Sequence, residues 1–209
     1  RAYLFLGWLN DVRGKARQGV TAPAEIVDVR GWLDELRLVK DASELATMRR
    51  SADIASDAHR RAMRAARAGR REYEIEAEIL HHFYASGAQA PAYTSIVAGG
   101  ANACVLHYVS NRDTLRDGDL LLIDAGCELD GYASDITRTF PVNGKFSGPQ
   151  QAAYEIVLAA QAAAIAAVKP GALWIAPHDA AGRWLVAFRF GLGLRYGVGY
   201  DLSERFADS

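Results

Sequence analysis

The sequence predicts an α+β fold, an antiparallel sheet built round one hairpin with long helices beside it. Three observations predict it. Residues 120–142, LLLIDAGCELDGYASDITRTFPV, open on an apolar run of strand length and turn at Asp130-Gly131. They return with Asp135, Thr137 and Thr139 alternating against Ile136 and Phe140, which completes a hairpin. Residues 41–66 repeat apolar positions at i, i+3 and i+4, and residues 147–168 form an alanine-rich run behind a Ser-x-x-Gln start signal.

Taken in order, residues 1–19 mix apolar and basic side chains at helical spacing, with Leu4, Trp8 and Val12 ahead of Arg13, Lys15 and Arg17. Residues 21–29 read as a linker running into a short extended segment. Residues 30–40 carry Trp32, Leu33, Leu36 and Leu38 and read as a short helix or strand docking on the next domain. Asp41 opens a long helix, because Asp41 and Glu44 have the spacing of a capping box. Leu45, Met48, Ala52, Ala55, His59, Ala62 and Ala66 form its apolar stripe, and Gly69 stops it. His59 on that stripe reads as a packed helix residue rather than a ligand. The arginines at 60, 61, 64, 67, 70 and 71 read as a solvated helix face rather than a binding patch.

A second helix is expected over residues 72–86, with Ile75, Ile79, Leu80 and Phe83 on one side. Glu72, Glu74, Glu76 and Glu78 enrich its first half, where the helix dipole favours anions. His81 and His82 are adjacent helical positions, which point apart and make a poor metal pair. Two strands are expected at residues 94–98 and 104–109, with Gly99-Gly100-Ala101-Asn102 turning between them. That glycine pair is no phosphate cradle, since no G-x-x-x-x-G-K is present. His107, inside Val105-Leu106-His107-Tyr108-Val109, would by itself pass for a core histidine.

The hairpin carries the chemistry. A turn centred between Leu129 and Asp130 sets Asp124 directly opposite Asp135; one centred between Asp130 and Gly131 sets them a diagonal step apart. Both registers put the two carboxylates on one face, because side chains alternate with period 2. Directly opposed Cβ atoms lie only about 4.5–5.5 Å apart, where like charges repel. A shared proton, an arginine or a metal ion would each offset that repulsion. After the hairpin, Ser147 and Gln150 flank Pro149 at a helix start, and Lys169-Pro170-Gly171 closes that helix. Residues 174–179 begin another.

Composition narrows the classes. Half of the 209 residues are apolar and 23% are charged, as in ordinary globular proteins. A formal net charge of −1 gives no basic field for nucleic acid or an anionic membrane. No apolar run approaches the ~20 residues of a membrane span. Two cysteines, Cys104 and Cys127, without a C-x-x-C pair suit free thiols in a reducing, cytoplasmic compartment. The chain opens on Arg1, which reads as the interior of a longer protein.

The hairpin LLLIDAGCELDGYASDITRTFPVNGKF, with TAPAEIVDVRGWLDELRLVKDASELATMRR and YTSIVAGGANACVLHY upstream, resembles the bacterial Xaa-Pro aminopeptidase (aminopeptidase P) family of pita-bread metallopeptidases. The likeness covers residues 21–179. It implies an incomplete pita-bread fold, the N-terminal half: a curved antiparallel sheet with long helices on one face. It divides the chain into the end of an N-terminal domain and linker (1–29), the first half of the catalytic domain (30–181) and an unmatched tail (182–209). It implies that Asp124 and Asp135 are metal ligands of a site for two Mn2+ ions, that His107 is catalytic beside them, and that Tyr93 and Thr137 line the site. The implied reaction is metal-dependent hydrolysis of an N-terminal Xaa-Pro bond, on a peptide with proline second. Prolidase-type dipeptidase activity and a non-catalytic fragment are the rivals. The family's members are often homo-oligomers.

The pattern breaks near Gly182. The family continues with an H-G-x-x-H segment and two glutamate ligands, whereas here the only histidine after Asp135 is His178 and the only glutamates are Glu155 and Glu204. Three of five expected ligands have no counterpart. A truncated or frameshifted product, inactive alone, is the expectation.

Overall fold

The computed structural model describes residues 2–191. It divides into two compact units, residues 1–47 and 48–209. The first contains helix α1 (Ala2–Gly14), a 3-10 turn at Ala16–Gln18, helix α2 (Arg30–Leu38) and the first turn of helix α3 (Ala42–Ala65). Residues 30–40 therefore resolve to helix, and residues 20–29 have no regular structure. The capping box at the head of α3 forms as its spacing requires. The Asp41 N–H donates to Glu44 Oε2 at 2.6 Å, and the Glu44 N–H donates to Asp41 Oδ1 at 2.9 Å.

The second unit holds the rest of α3, helix α4 (Glu72–Ala85), strands β1 (Ala90–Pro91), β2 (Ile96–Gly99), β3 (Leu120–Ala125), β4 (Cys127–Leu129), β5 (Tyr132–Ala133) and β6 (Ile136–Pro141), and helices α5 (Gly148–Ala167) and α6 (Ala176–Gly191). The strands form two antiparallel three-stranded sheets, β1-β4-β5 and β2-β3-β6. Burial alternates along β3, so Leu121, Ile123 and Ala125 face the core while Leu120, Leu122 and Asp124 face away from it. Against the core face lie Ile54, Ala55, Ala58 and Ala62 of α3 and Ile75, Ile79 and Phe83 of α4. Three alanines let the α3 backbone approach closely. Full burial of Phe83, Ile75 or Ile79 contributes about 1.5–3 kcal/mol each.

Two expectations need correction. The buried stripe of α3 runs through Ser51, Ile54, Ala55, Ala58, His59 and Ala62, whereas Ala52 is exposed and Leu45 is 40% exposed. Ser51 belongs inside because its hydroxyl donates to the Cys127 carbonyl at 3.0 Å. Residues 104–109 are not a strand. A 3-10 helix spans Gly100–Cys104, and a turn comes next through His107, which takes φ 55°. That left-handed conformation ends any extended run, and Leu106 is left 85% exposed.

The remaining element signals hold. Ser147 accepts from the Gln150 N–H at 3.4 Å and Gln150 Oε1 accepts from the Ser147 N–H at 2.9 Å, capping α5. Three of the six arginines form ion pairs: Arg61 with Glu78, Arg60 with Asp57, and Arg70, past the end of α3, with Glu74 and Glu78. His59 is buried, with Nδ1 2.9 Å from the Ala55 carbonyl. Helix α6 runs on past Gly182 to Gly191; the rest of the expected tail lies outside the described residues. Cys104 and Cys127 are free thiols. No helix among the described residues is long and apolar enough to cross a membrane.

Candidate active site

The hairpin adopts the second of its two registers. Leu129 pairs with Tyr132, Glu128 with Ala133, Ala125 with Ile136 and Asp124 with Thr137. Asp130 (φ 49°) and Gly131 (φ 83°) take the two positive φ angles of a tight primed turn, whose twist matches the flanking strands. Midway down, the ladder breaks at Gly126, opposite Ser134 and Asp135. A Cβ on Gly126 would lie 1.7 Å from the Ser134 carbonyl oxygen, so only glycine lets the two backbones meet there. This close approach separates the two sheets and leaves Asp135 just outside β6, on the same face as Asp124.

The two carboxylates converge. The Tyr93 hydroxyl lies 2.5 Å from Asp124 Oδ1 and 2.9 Å from Asp135 Oδ1. Tyr93 is delivered by the chain leaving β1, where the Ala92 N–H donates to the Gly126 carbonyl at 2.9 Å. One hydroxyl has one proton, and two carboxylates compete for it. Burial first, then the bonds to Asp124 and Asp135, push the Tyr93 phenol above its ordinary range. Among the described residues no lysine or arginine pairs with either aspartate.

His107, Val109, Ile96 and Thr94 complete the rim of the depression holding Tyr93, Asp124 and Asp135, a space of about 390 Å³. His107 is exposed rather than the core residue its apolar neighbours imply. Thr137 faces Asp124 across the ladder but borders a separate groove of about 410 Å³, between the hairpin and Tyr154, Val157 and Leu158 of α5. That groove is walled by Leu120, Val157 and Leu158, yet it lacks a convergent pair of acids. The converging acids lie in the depression that His107 borders.

The donor set fits a hard divalent cation in kind. Two carboxylates point at one spot, unneutralised by any basic side chain among the described residues, and hard cations take oxygen ligands. In number the set falls short, since no three His, Cys, Asp or Glu side chains gather at metal-binding distance among the described residues. His81, His82 and His59 do not line the depression. Two buried polar side chains outside its lining carry no sequence signal. Glu72, the first residue of α4, is fully buried, and Asn111 is buried at φ 48°. The helix dipole was a sufficient reason for a glutamate at position 72, so nothing in the sequence set it apart.

The metallopeptidase family M24 matches residues 46–208, and the chain belongs to that family. The match extends past residue 181. The curated Xaa-Pro aminopeptidase of Escherichia coli is 49% identical over 163 residues, which make up 78% of this chain and 37% of that protein. The one from Haemophilus influenzae is 55% identical over 148 residues, 71% of this chain and 34% of that protein. The solved structure of aminopeptidase PepP from Pseudomonas aeruginosa superposes with a TM-score of 0.91 at 48% identity, covering 99% of this chain and 47% of that one. The fold is accordingly the N-terminal part of the pita-bread fold. The chain spans between a third and a half of the length of these relatives.

Proposed function

We propose that this chain carries the first half of the catalytic centre of an Xaa-Pro aminopeptidase, a hydrolase that removes the first residue from a peptide with proline second. The observation that carries the reading is the convergence of Asp124 and Asp135 on Tyr93, with His107 on the same rim. The relatives named Xaa-Pro aminopeptidase support the substrate class. Asp124 and Asp135 would hold Mn2+, and the family includes a zinc-substituted Escherichia coli aminopeptidase P. Bound there, the metal supplies Lewis acidity toward the amide carbonyl and an activated water.

This chain's own residues do the rest. Tyr93 holds the two carboxylates side by side by sharing its proton between them. His107 donates a hydrogen bond to the oxygen on which negative charge develops, the task of preorganised donors at acyl centres. Thr137, opposite Asp124, borders the neighbouring groove. Two free thiols fit a reducing compartment, and we place the protein in the cytoplasm on that ground.

A Mn2+ titration monitored by electron paramagnetic resonance tests the reading. Asp124→Asn and Asp135→Asn should each weaken association by about tenfold or more, having removed one of two charged oxygen ligands. Unchanged affinity in both variants would overturn it.

A further inference from the structure

Residues 100–112 present His107 to the carboxylates, and this segment is poorly held by apolar packing. Val105, Leu106 and Val109 are 56%, 85% and 52% exposed. His107 and Asn111 both sit in the left-handed region, at φ 55° and 48°, which L side chains occupy only when surroundings impose it. What imposes it is polar. Asn111 lies along the edge of β2 that no strand among the described residues covers. Its Oδ1 accepts from the Val97 N–H at 3.0 Å, and its Nδ2 donates to the Ser95 carbonyl at 2.8 Å.

The larger clamp is Glu72. Its Oε1 accepts from the Gly99 N–H at 2.8 Å and from Asn102 Nδ2 at 3.0 Å. Its Oε2 accepts from the Tyr108 hydroxyl at 2.8 Å and from the Asp113 N–H at 2.9 Å. Four donors fill the roughly four acceptor positions of one carboxylate. They come from both ends of the segment and from Tyr108, the residue next to His107. A Cβ at Gly99 would lie 2.9 Å from Leu115 Cδ2 and 3.5 Å from Glu72 Oε1, so the carboxylate and the strand end are packed to fit. Among the described residues no cation pairs with Glu72; its charge is met by the segment it closes.

We propose that Glu72 is a positioning residue for His107, acting through Tyr108. Fully buried on the first turn of α4, it fixes where the segment turns and so where the imidazole stands on the rim of the depression that holds Asp124 and Asp135. The proposal rests on the reading of His107 as the hydrogen-bond donor of the reaction, but its test does not use activity. Glutamine at position 72 offers one acceptor oxygen to four donors and sets an amide N–H2 against the others. Phenylalanine at position 108 removes one donor and leaves the packing.

The measurement is made on the 209-residue chain labelled with 15N-histidine, observing its five imidazoles, with amide exchange and thermal unfolding alongside. In Glu72→Gln, protection of the Gly99 and Asp113 amides should fall about tenfold or more while Leu121 and Ile123 in β3 keep theirs. In Tyr108→Phe, the His107 signals should move or broaden while those of His59, His81, His82 and His178 stay. His107 signals unchanged in Tyr108→Phe overturn the proposal. So does a uniform loss of protection through β3, which would make Glu72 a general core residue. If Glu72→Gln fails to fold, Tyr108→Phe decides alone. Failure to cleave Xaa-Pro peptides leaves every one of these signals in place, so the two readings fall separately.

Discussion

At the scale of single residues, hydrogen bonds from phenols to carboxylates recur, Tyr93 to Asp124 and Asp135 and Tyr108 to Glu72. Removing the shared proton in Tyr93→Phe leaves two carboxylates facing each other with no donor, and hydrogen bonds to charged groups contribute roughly 1.5–3 kcal/mol. Asp135 is exposed, and solvent can replace part of a hydrogen bond lost there. The expected loss is therefore toward the lower end, about 1–2 kcal/mol, read from urea midpoints at neutral pH. Tyr108 gives a pH-dependent counterpart. Burial, then its hydrogen bond to Glu72, push its phenol from 10.0 up to about 12. The folded state thus favours the neutral phenol. That contribution is fully present below pH 10, the unfolded value, and is lost as pH rises toward about 12. The advantage of the native chain over Tyr108→Phe should shrink when urea midpoints are compared between about pH 9 and about pH 12. A constant difference across that range would show that Tyr108 does not feel Glu72. Period-2 alternation was enough to put Asp124 and Asp135 on one face from sequence alone. Glu72 was hidden, since a glutamate in a first helical turn has an ordinary dipole explanation.

At the scale of elements, one glycine separates a plain hairpin from a site. Gly126→Ala would place its methyl carbon 1.7 Å from the Ser134 carbonyl oxygen, backbone against backbone, where no rotamer change relieves the clash. The hairpin must then open at the point that sets Asp135 beside Asp124. We expect a loss of about 3 kcal/mol or more, together with loss of the Mn2+ response, from urea unfolding and metal titration of the same variant. A variant that keeps both would mean the close approach has no part in forming the site. Capping is a milder element-scale matter. Ser147→Ala should cost about 1 kcal/mol by removing the acceptor of the Gln150 N–H, checked by thermal unfolding. Both caps were legible because capping is local chemistry, readable from spacings of three residues. The segment 104–109 was not. Val105, Leu106 and Val109 carry strand propensity, but their conformation is set by Glu72 and Asn111, one of them some thirty residues away in sequence. Propensity gave way there to a polar clamp that no short window contains.

At the scale of the second unit, the small donor count of the proposed metal site becomes a quantity. Among the described residues strand β6 is an edge of its sheet, and α5 leaves Val157, Leu158 and Ile165 at 58%, 49% and 65% exposure. Two carboxylates offer about four oxygen donors, against the six or so that each hard divalent ion takes. Affinity for Mn2+ should therefore be about 1 mM or weaker, the lower end for oxygen sites. At 1 mM Mn2+ such a site stabilises the chain by only RT ln 2, about 0.4 kcal/mol, or about 1 °C in Tm. A complete site with a Kd near 1 μM would give about 4 kcal/mol and a rise of roughly 8 °C or more under the same conditions. The two cases differ by far more than the error of a melting curve. For the isolated 209-residue chain we expect the small shift, abolished by Asp124→Asn, and no release of the first residue from Gly-Pro peptides by mass spectrometry. A rise of about 8 °C, or turnover, would mean that the missing ligands come from residues 192–209 or from a second copy of the chain. The same melt with Glu204→Gln, run at two protein concentrations, would tell those sources apart: a loss on substitution points to the tail, and a shift that grows with concentration points to the second copy.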